Sequence, residues 1–360
     1  MKYACGLRMS GLAWVVAAGL VLAVEGATAP ARPAARATGR EALAARSADP
    51  YLGAIVVDAA TGQTLFEDHA DAAGYPASCI KLMDMLVIQN RVEKGQVKVG
   101  DMVTITAEAA RTGGSQVYLA EKEVFSVEDL LYALMVQSAN DAAVALALHV
   151  AGTKEGFVEL MNGRAAELGM TNTHFHSVHG LPPAEGQQPD VSTPRDLALL
   201  ARELVKHPDV LRYSSTRERP LRGGKFVMRN HNHLLGEIPG CDGFKTGYIK
   251  AGGYSIVATA ERGGRRVIAI VLGSKDRLVR DAKAKALLSK GFMELPPLPP
   301  PSPAVTNIGM TNALSQPVEP VEPPRKGGAT WSFVAAIAVG AAVVGAGGFW
   351  AVKRFHGQDL

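Results

Sequence analysis

Cysteine is scarce in this 360-residue chain: there are three, and Cys5 lies in the leading apolar segment, which leaves Cys79 and Cys241. A scaffold stapled by many disulfides is thereby excluded. One bridge between the two remaining cysteines is open in an exported protein, and a pair of buried thiols is the other reading. Aromatics are also sparse, at 6% of residues, and charge is nearly balanced, with a formal net charge of +4. The densest basic stretch, Arg217 to Arg229, holds one aromatic, Phe226. That falls short of the stacking platform of a single-strand binder, so no nucleic-acid partner is expected and the stretch reads as a solvated face. No internal repeat is visible. Uncharged runs longer than a core helix are confined to the two ends of the chain.

Those ends are unlike the middle. Lys2 and Arg8 precede the apolar run Gly11 to Val24, and Ala27-Thr28-Ala29 follows it. This is the order of a secretory signal over residues 1–29, or of an uncleaved N-terminal anchor. Residues 30–49, rich in Ala, Arg and Pro, read as a disordered lead-in. Residues 296–330 are Pro-rich and read as an extended spacer. Trp331 to Val352 is a run of about 22 residues without a charge, long enough to span a bilayer. Arg325 and Lys326 precede it, and Lys353 and Arg354 follow. The expectation is an exported protein held by a single C-terminal transmembrane helix, with 353–360 as a cytoplasmic tail. The folded part, 50–295, would then lie on the extracytoplasmic side of the cytoplasmic membrane.

Within that part the hydrophobic pattern predicts strands at both ends and helices between. Tyr51–Val57 and Thr64–Glu67 flank a turn. A helix is predicted from Ser78 to about Lys94. Another starts at the capping box of Ser126, breaks at Ser138 and resumes over Ala142–Val150. Glu155–Leu168 is closed by Gly169, and Thr193-Pro194-Arg195-Asp196 opens a helix that stops before Pro208. Gly243–Tyr248, Tyr254–Glu261 and Arg266–Leu272 read as strands, and Asp281–Ser289 as a closing helix ended by Gly291. The pattern predicts an α+β fold, one antiparallel sheet built from both ends of the domain with an all-helical insert.

Ser78 and Lys81 stand three residues apart at the start of an almost wholly apolar run, so on a helix they share a face. A serine hydroxyl is inert at neutral pH until a base takes its proton, and a lysine serves as that base when burial or a second cation lowers its pKa. Alone, Ser-x-x-Lys is a weak signal. Two further motifs follow in order: Ser138-Ala139-Asn140 at the break between helices, and Lys245-Thr246-Gly247 on a strand. Lys245 brings a second cation toward Lys81. Ser138 can relay a proton to a leaving amine, and Asn140 can hold a peptide group. Lys245 and Thr246 suit a terminal carboxylate, and backbone N–H groups near Tyr248 and at Ser78 could form an oxyanion hole.

Three motifs of this kind, in this order, are the signature of the class A β-lactamases and penicillin-binding proteins. The chain resembles the low-molecular-mass penicillin-binding proteins, the serine-type D-alanyl-D-alanine carboxypeptidases. The likeness runs through Val136 to Ala142, Leu168 to Phe175, His179-Gly180-Leu181 and Asp242 to Tyr248, and continues over Ala251 to Tyr254 and Val271-Leu272-Gly273. It implies the β-lactamase/transpeptidase-like fold with a five-stranded sheet. It also implies removal of the terminal D-Ala from peptidoglycan stem peptides through an acyl-enzyme on Ser78, with a role in cell-wall biosynthesis and cell shape. No cofactor or metal is implied. β-Lactam antibiotics would act as covalent inhibitors. Ser78, Lys81 and Ser138 would be catalytic; Asn140, Lys245, Thr246, Gly247, Tyr248 and Arg280 would bind substrate, with Tyr248 giving an oxyanion N–H and Arg280 lying near the carboxylate.

Some residues depart from the family pattern. Ile80 and Asp84 stand where threonines are usual and are expected to face away from the chemistry, and Ala139 replaces a glycine. The family's second, β-rich domain has no stretch left to form it ahead of the spacer. Four other readings compete. A catalytically dead peptidoglycan-binding protein is one, against which all six polar catalytic positions are filled. An endopeptidase cutting D-alanyl cross-links would use the same acyl-enzyme. A β-lactamase needs a deacylating Glu, for which Glu185 is the candidate. A zinc peptidase would draw on His174, His176 and His179, against a reading of these as loop and packing histidines.

Overall fold

The computed structural model describes residues 50–296. The expected signal, lead-in, spacer, transmembrane helix and tail all lie outside the described residues. Among those described, no helix is long and apolar enough to cross a membrane.

The chain begins with an antiparallel pair, β1 (Gly53–Asp58) and β2 (Thr64–Asp68). A 3-10 turn at Ala77–Ile80 leads directly into α1 (Lys81–Glu93). Next come β3 (Met102–Thr104), the one-turn α2 (Ala107–Ala110), β4 (Val124–Ser126), α3 (Val127–Met135), α4 (Asn140–Ala151) and α5 (Lys154–Glu167). After a long connection follow α6 (Pro194–Leu204), α7 (Pro208–Ser214) and a small pair, β5 (Glu218–Leu221) and β6 (Phe226–Arg229). The chain closes with β7 (Cys241–Ile249), β8 (Gly253–Arg262), β9 (Arg265–Ser274) and α8 (Arg277–Glu294).

The main sheet has five antiparallel strands in the order β2-β1-β9-β8-β7. It is therefore built from both ends of the domain, as the hydrophobic pattern predicts. Its central strands are apolar on both faces because both are covered. Ile55, Val57, Val257, Ile268, Ile270 and Leu272 point into the larger core, shared with α1 and the helical insert. The intervening residues Ala54, Val56, Ile256, Ala258, Val267 and Ala269 face α8 through Ala284, Leu287 and Leu288. In the larger core α1 is the hub, packing against α3, α4, α5 and α6. Its first nine residues, Lys81 to Gln89, are buried on every side.

The caps at Ser126, Thr193 and Gly169 form where the sequence places them. Ser126 Oγ accepts from Asp129 N–H, Thr193 Oγ1 accepts from Asp196 N–H, and Gly169 has φ +73°. Other expectations change. The closing helix starts earlier, at Arg277 behind an Asp276 cap, and runs through Gly291 to Glu294. Gly291 does not end it; this residue is the contact point, buried against Val56 and Val267. The basic stretch is largely exposed, as expected, with Arg217, Lys225 and Arg229 on the surface. Its β5–β6 pair is held by Arg219, which reaches Asp129 at 3.2 Å over the Tyr132 ring, and by Arg222, which reaches Glu123 at 2.7 Å over Phe125. Cys79 is buried and Cys241 half-buried, and both are free thiols.

Ile270, 0% exposed at the centre of β9, tests where the core sits. Ile270→Ala is expected to cost about 2–5 kcal/mol. In urea unfolding this appears as a lower midpoint with an unchanged m-value; a loss below about 1 kcal/mol would show that this face does not carry the core.

Candidate functional site

The sheet ends in β7, and its outer edge forms one wall of a cleft of about 1040 Å³. Of the residues singled out in the sequence, Ser78, Ser138, Thr246, Gly247, Tyr248 and Arg280 line this cleft. Lys81, Asn140 and Lys245 stand behind them, 0%, 2% and 2% exposed. All three motifs thus meet at one place. Ser78 sits in the 3-10 turn rather than in α1 itself, and its neighbour Ala77 adopts φ +49°. Ser138 is also held in the left-handed region, at φ +59°, where the chain turns from α3 into α4. Strained non-glycine residues of this kind concentrate at functional sites.

Two glycines allow the close approach. A Cβ on Gly247 would lie 2.4 Å from the Pro76 carbonyl oxygen and 3.1 Å from the Ser78 nitrogen. A Cβ on Gly180, at φ +76°, would lie 2.3 Å from the Ala77 carbonyl oxygen. Any side chain at either position would push a wall of the cleft away from the Ser78 turn.

Lys81 is the centre of the arrangement. Its Nζ lies 3.1 Å from Ser78 Oγ, 2.7 Å from Asn140 Oδ1 and 2.7 Å from the His179 carbonyl oxygen. The last two partners can only accept, and the hydroxyl alone can also donate. An ammonium fills this set with three N–H groups, and a neutral amine fills it with two N–H groups to the carbonyl-type oxygens and its lone pair toward the Ser78 hydroxyl. Burial, and next the Lys245 charge, carry the Lys81 pKa down from 10.5 to about 7, against the opposing pull of Asp84, Cys79 and Asp190. Lys245 is itself lowered to about 8, chiefly by burial, and donates to the Thr246 carbonyl oxygen at 3.0 Å.

Other residues of the site come from outside the motifs. The His179 carbonyl is one, and no side-chain pattern announces it. Gly113 is another: its carbonyl accepts from Asn140 Nδ2 at 2.8 Å, so the Asn140 amide is engaged at both ends. Asp141, wholly buried, accepts from the backbone N–H groups of Val117 and Leu119 and so fixes the loop beside the cleft. His231, between Asn230 and Asn232, also lines the cleft. Asp84, expected to face away from the chemistry, lies outside the cleft lining. It is 2% exposed, neither of its carboxyl oxygens has a hydrogen-bond partner among the described residues, and its charge couples to Lys81. Burial, the largest cause, pushes its pKa well above the usual carboxylate range. Arg280 lies buried at the cleft wall, bound to Asp281 through Nη2 at 2.6 Å.

His174, His176 and His179 are not brought to one point. The His174 and His176 rings lie with centroids 4.4 Å apart, tilted by 52°, while His179 Nδ1 accepts from the Leu181 N–H. Among the described residues no group of three or more His, Cys, Asp or Glu is placed to hold a metal. Glu185 is exposed and lies outside the cleft lining.

The buried lysine makes stability depend on pH with a definite sign. Between about 7 and 10.5 the unfolded chain binds the Lys81 proton and the folded chain does not, so this side chain's cost is full below the window and fades as pH rises through it. Wild type is therefore expected to gain on Lys81→Met by about 1.4 kcal/mol per pH unit across that window. Denaturant unfolding of both proteins at a series of pH values checks this; a constant difference would mean that Lys81 is not held neutral.

Comparison with known proteins gives a consistent picture. The sequence pattern of the S11 peptidases, described as D-alanyl-D-alanine carboxypeptidase, matches residues 39–276. The chain is 35% identical over 244 residues to the D-alanyl-D-alanine carboxypeptidase DacF of Bacillus subtilis, covering 67% of this chain and 62% of that relative. It is 39% identical over 261 residues to DacC of Escherichia coli, covering 71% and 64%. The chain thus spans less than two thirds of the length of these curated relatives. Among solved structures, penicillin binding protein 5 of Haemophilus influenzae aligns with a TM-score of 0.64 at 32% identity, over 68% of this chain and 71% of that one. Penicillin-Binding Protein D2 of Listeria monocytogenes in its ampicillin-bound form aligns with 0.62 at 34% identity, over 68% and 97%. A match that reaches from ahead of the sheet to the end of its last strand, across all three motifs that meet at this cleft, puts the chain in the S11 family of D-alanyl-D-alanine carboxypeptidases.

Proposed function

We propose that the chain is a serine D-Ala-D-Ala carboxypeptidase acting on peptidoglycan stem peptides. The observation that carries this is the meeting of the three motifs at one cleft, with the buried Lys81 Nζ 3.1 Å from the Ser78 hydroxyl. In acylation Lys81 takes the Ser78 proton while Oγ attacks the penultimate carbonyl. The oxyanion is held by the backbone N–H groups of Ser78 and Tyr248. The proton passes from Lys81 through the Ser138 hydroxyl to the nitrogen of the departing D-Ala, and the C–N bond breaks. Water then attacks the ester with Lys81 again as base, and Ser78 leaves with a proton. Lys245, Thr246 and Arg280 hold the terminal carboxylate. Gly247 keeps the approach to the turn open, and Asn140, engaged at both ends of its amide, orients Lys81.

A β-lactam offers the same carbonyl with a leaving nitrogen tethered in the ring, so it acylates Ser78 and stays. The β-lactamase alternative has little to drive deacylation, since Glu185 stands away from the cleft lining. The secretory signal and the terminal uncharged run in the sequence support a protein exported and anchored in the cytoplasmic membrane, acting on the wall side.

The test uses the full chain in detergent, with a labelled penicillin and with a pentapeptide ending in D-Ala-D-Ala. Stable labelling and D-Ala release are both expected, and Ser78→Ala and Lys81→Ala are expected to lower release by at least about a thousandfold. Rapid turnover of the penicillin would point to the β-lactamase reading. A chelator-sensitive peptidase activity that survives Ser78→Ala would overturn the serine mechanism.

A further inference from the structure

Beside the cleft lies a second cavity of about 290 Å³, which shares Tyr248 and Tyr254 with it. These two rings stack with centroids 4.2 Å apart and form the ridge between the two spaces. Lys250 and Lys275 line the second cavity, and no acidic residue does. Arg277, two residues beyond Lys275, lines the cleft on the near side of the ridge. The nearest acid in sequence, Asp276, is taken: its Oδ1 accepts from the Leu278 and Val279 N–H groups as the cap of α8. Arginines elsewhere, such as Arg195, Arg222 and Arg266, are paired with carboxylates. Lys250, Lys275 and Arg277 have no such partner among the described residues.

The direction of a bound peptide follows from the proposed function, on which this inference rests. With the terminal carboxylate at Lys245 and Thr246 and the scissile carbonyl oxygen at the Tyr248 N–H, the residues before the scissile bond run on past Tyr248 toward Ile249 and Lys250. β7 is the edge strand of its sheet, so an extended peptide can lie along it as an added strand, with alternate side chains falling into flanking pockets. The space reached by a side chain upstream of the acyl D-Ala is the cationic cavity. We infer that the Lys250–Lys275 cavity, with Arg277 at its rim, is a subsite for a free carboxylate carried by the stem peptide upstream of the scissile D-Ala.

Two peptides ending in D-Ala-D-Ala test this, identical except that the residue before that pair carries a side-chain carboxylate in one and the carboxamide in the other. With the full chain, kcat/KM for D-Ala release is expected to favour the carboxylate by about fivefold at low salt, the scale of two partly exposed charge contacts. Added salt should shrink the preference. The Lys250→Gln/Lys275→Gln double variant should abolish it while leaving release from the carboxamide peptide unchanged. Equal release from both peptides by the wild type, a preference that survives in the double variant, or a variant that slows both peptides equally would overturn the subsite alone. Release from neither peptide would overturn it together with the carboxypeptidase reading.

Discussion

One buried amine sets the terms for the rest of the site. Lys81 is fully enclosed, and each partner of its Nζ comes from a different part of the chain: Ser78 from the 3-10 turn, Asn140 from the start of α4, and the His179 carbonyl from the long connection before α6. An ammonium enclosed in this way is costly, and the cost is what leaves the amine able to accept a proton near neutral pH. The packing that makes α1 the hub of the core therefore also makes the base. Stability and reactivity draw on the same burial and oppose each other, as is common where a functional group is held in a state that water would reverse.

Around that amine the structure arranges charge by position. Lys245, on β7, lowers the proton affinity of Lys81, while Asp84 and Asp190 raise it. Asp190 is satisfied by the N–H groups of His176 and Ser177 and by the Ser177 hydroxyl. Asp84 has no such partners among the described residues. Enclosure without donors favours the neutral acid, and the pull of Asp84 on the Lys81 proton belongs only to its ionised form.

The fold was largely legible because its signals are periodic. Both ends of the domain carry short β-rich runs, and the middle carries capped helices, so a sheet built from both ends with a helical insert follows directly. Ser78, Lys81 and the strand motif were legible because these residue types, at that spacing and in that order, are ones whose side chains can do chemistry. What stayed hidden was set by main chain and by pairing across distance. The His179 and Gly113 carbonyls leave no residue-type signature. The β5–β6 pair is polar and short, and its arginines find acids some ninety residues away, so a linear reading sees only loose positive charge. The enclosure of Asp84 was hidden for a related reason: the sequence shows one polar residue in an apolar run, and only the packing of α3 to α6 around α1 shows that no outward face exists there.

The pairing of β1 with β9 has a consequence for the order of assembly. The first strand of the domain lies between β2 and β9, so the centre of the sheet cannot close until almost the whole domain has been made. Until then one apolar edge of β1 stays open, and loop-closure entropy is at its largest for the contact that seals the sheet. A chain of this topology is kept from finishing its fold by its own connectivity, so its sheet locks only when the last strand arrives. The same pairing brings the two ends of the domain together, with Lys275 N–H bonded to the Pro50 carbonyl at 2.8 Å.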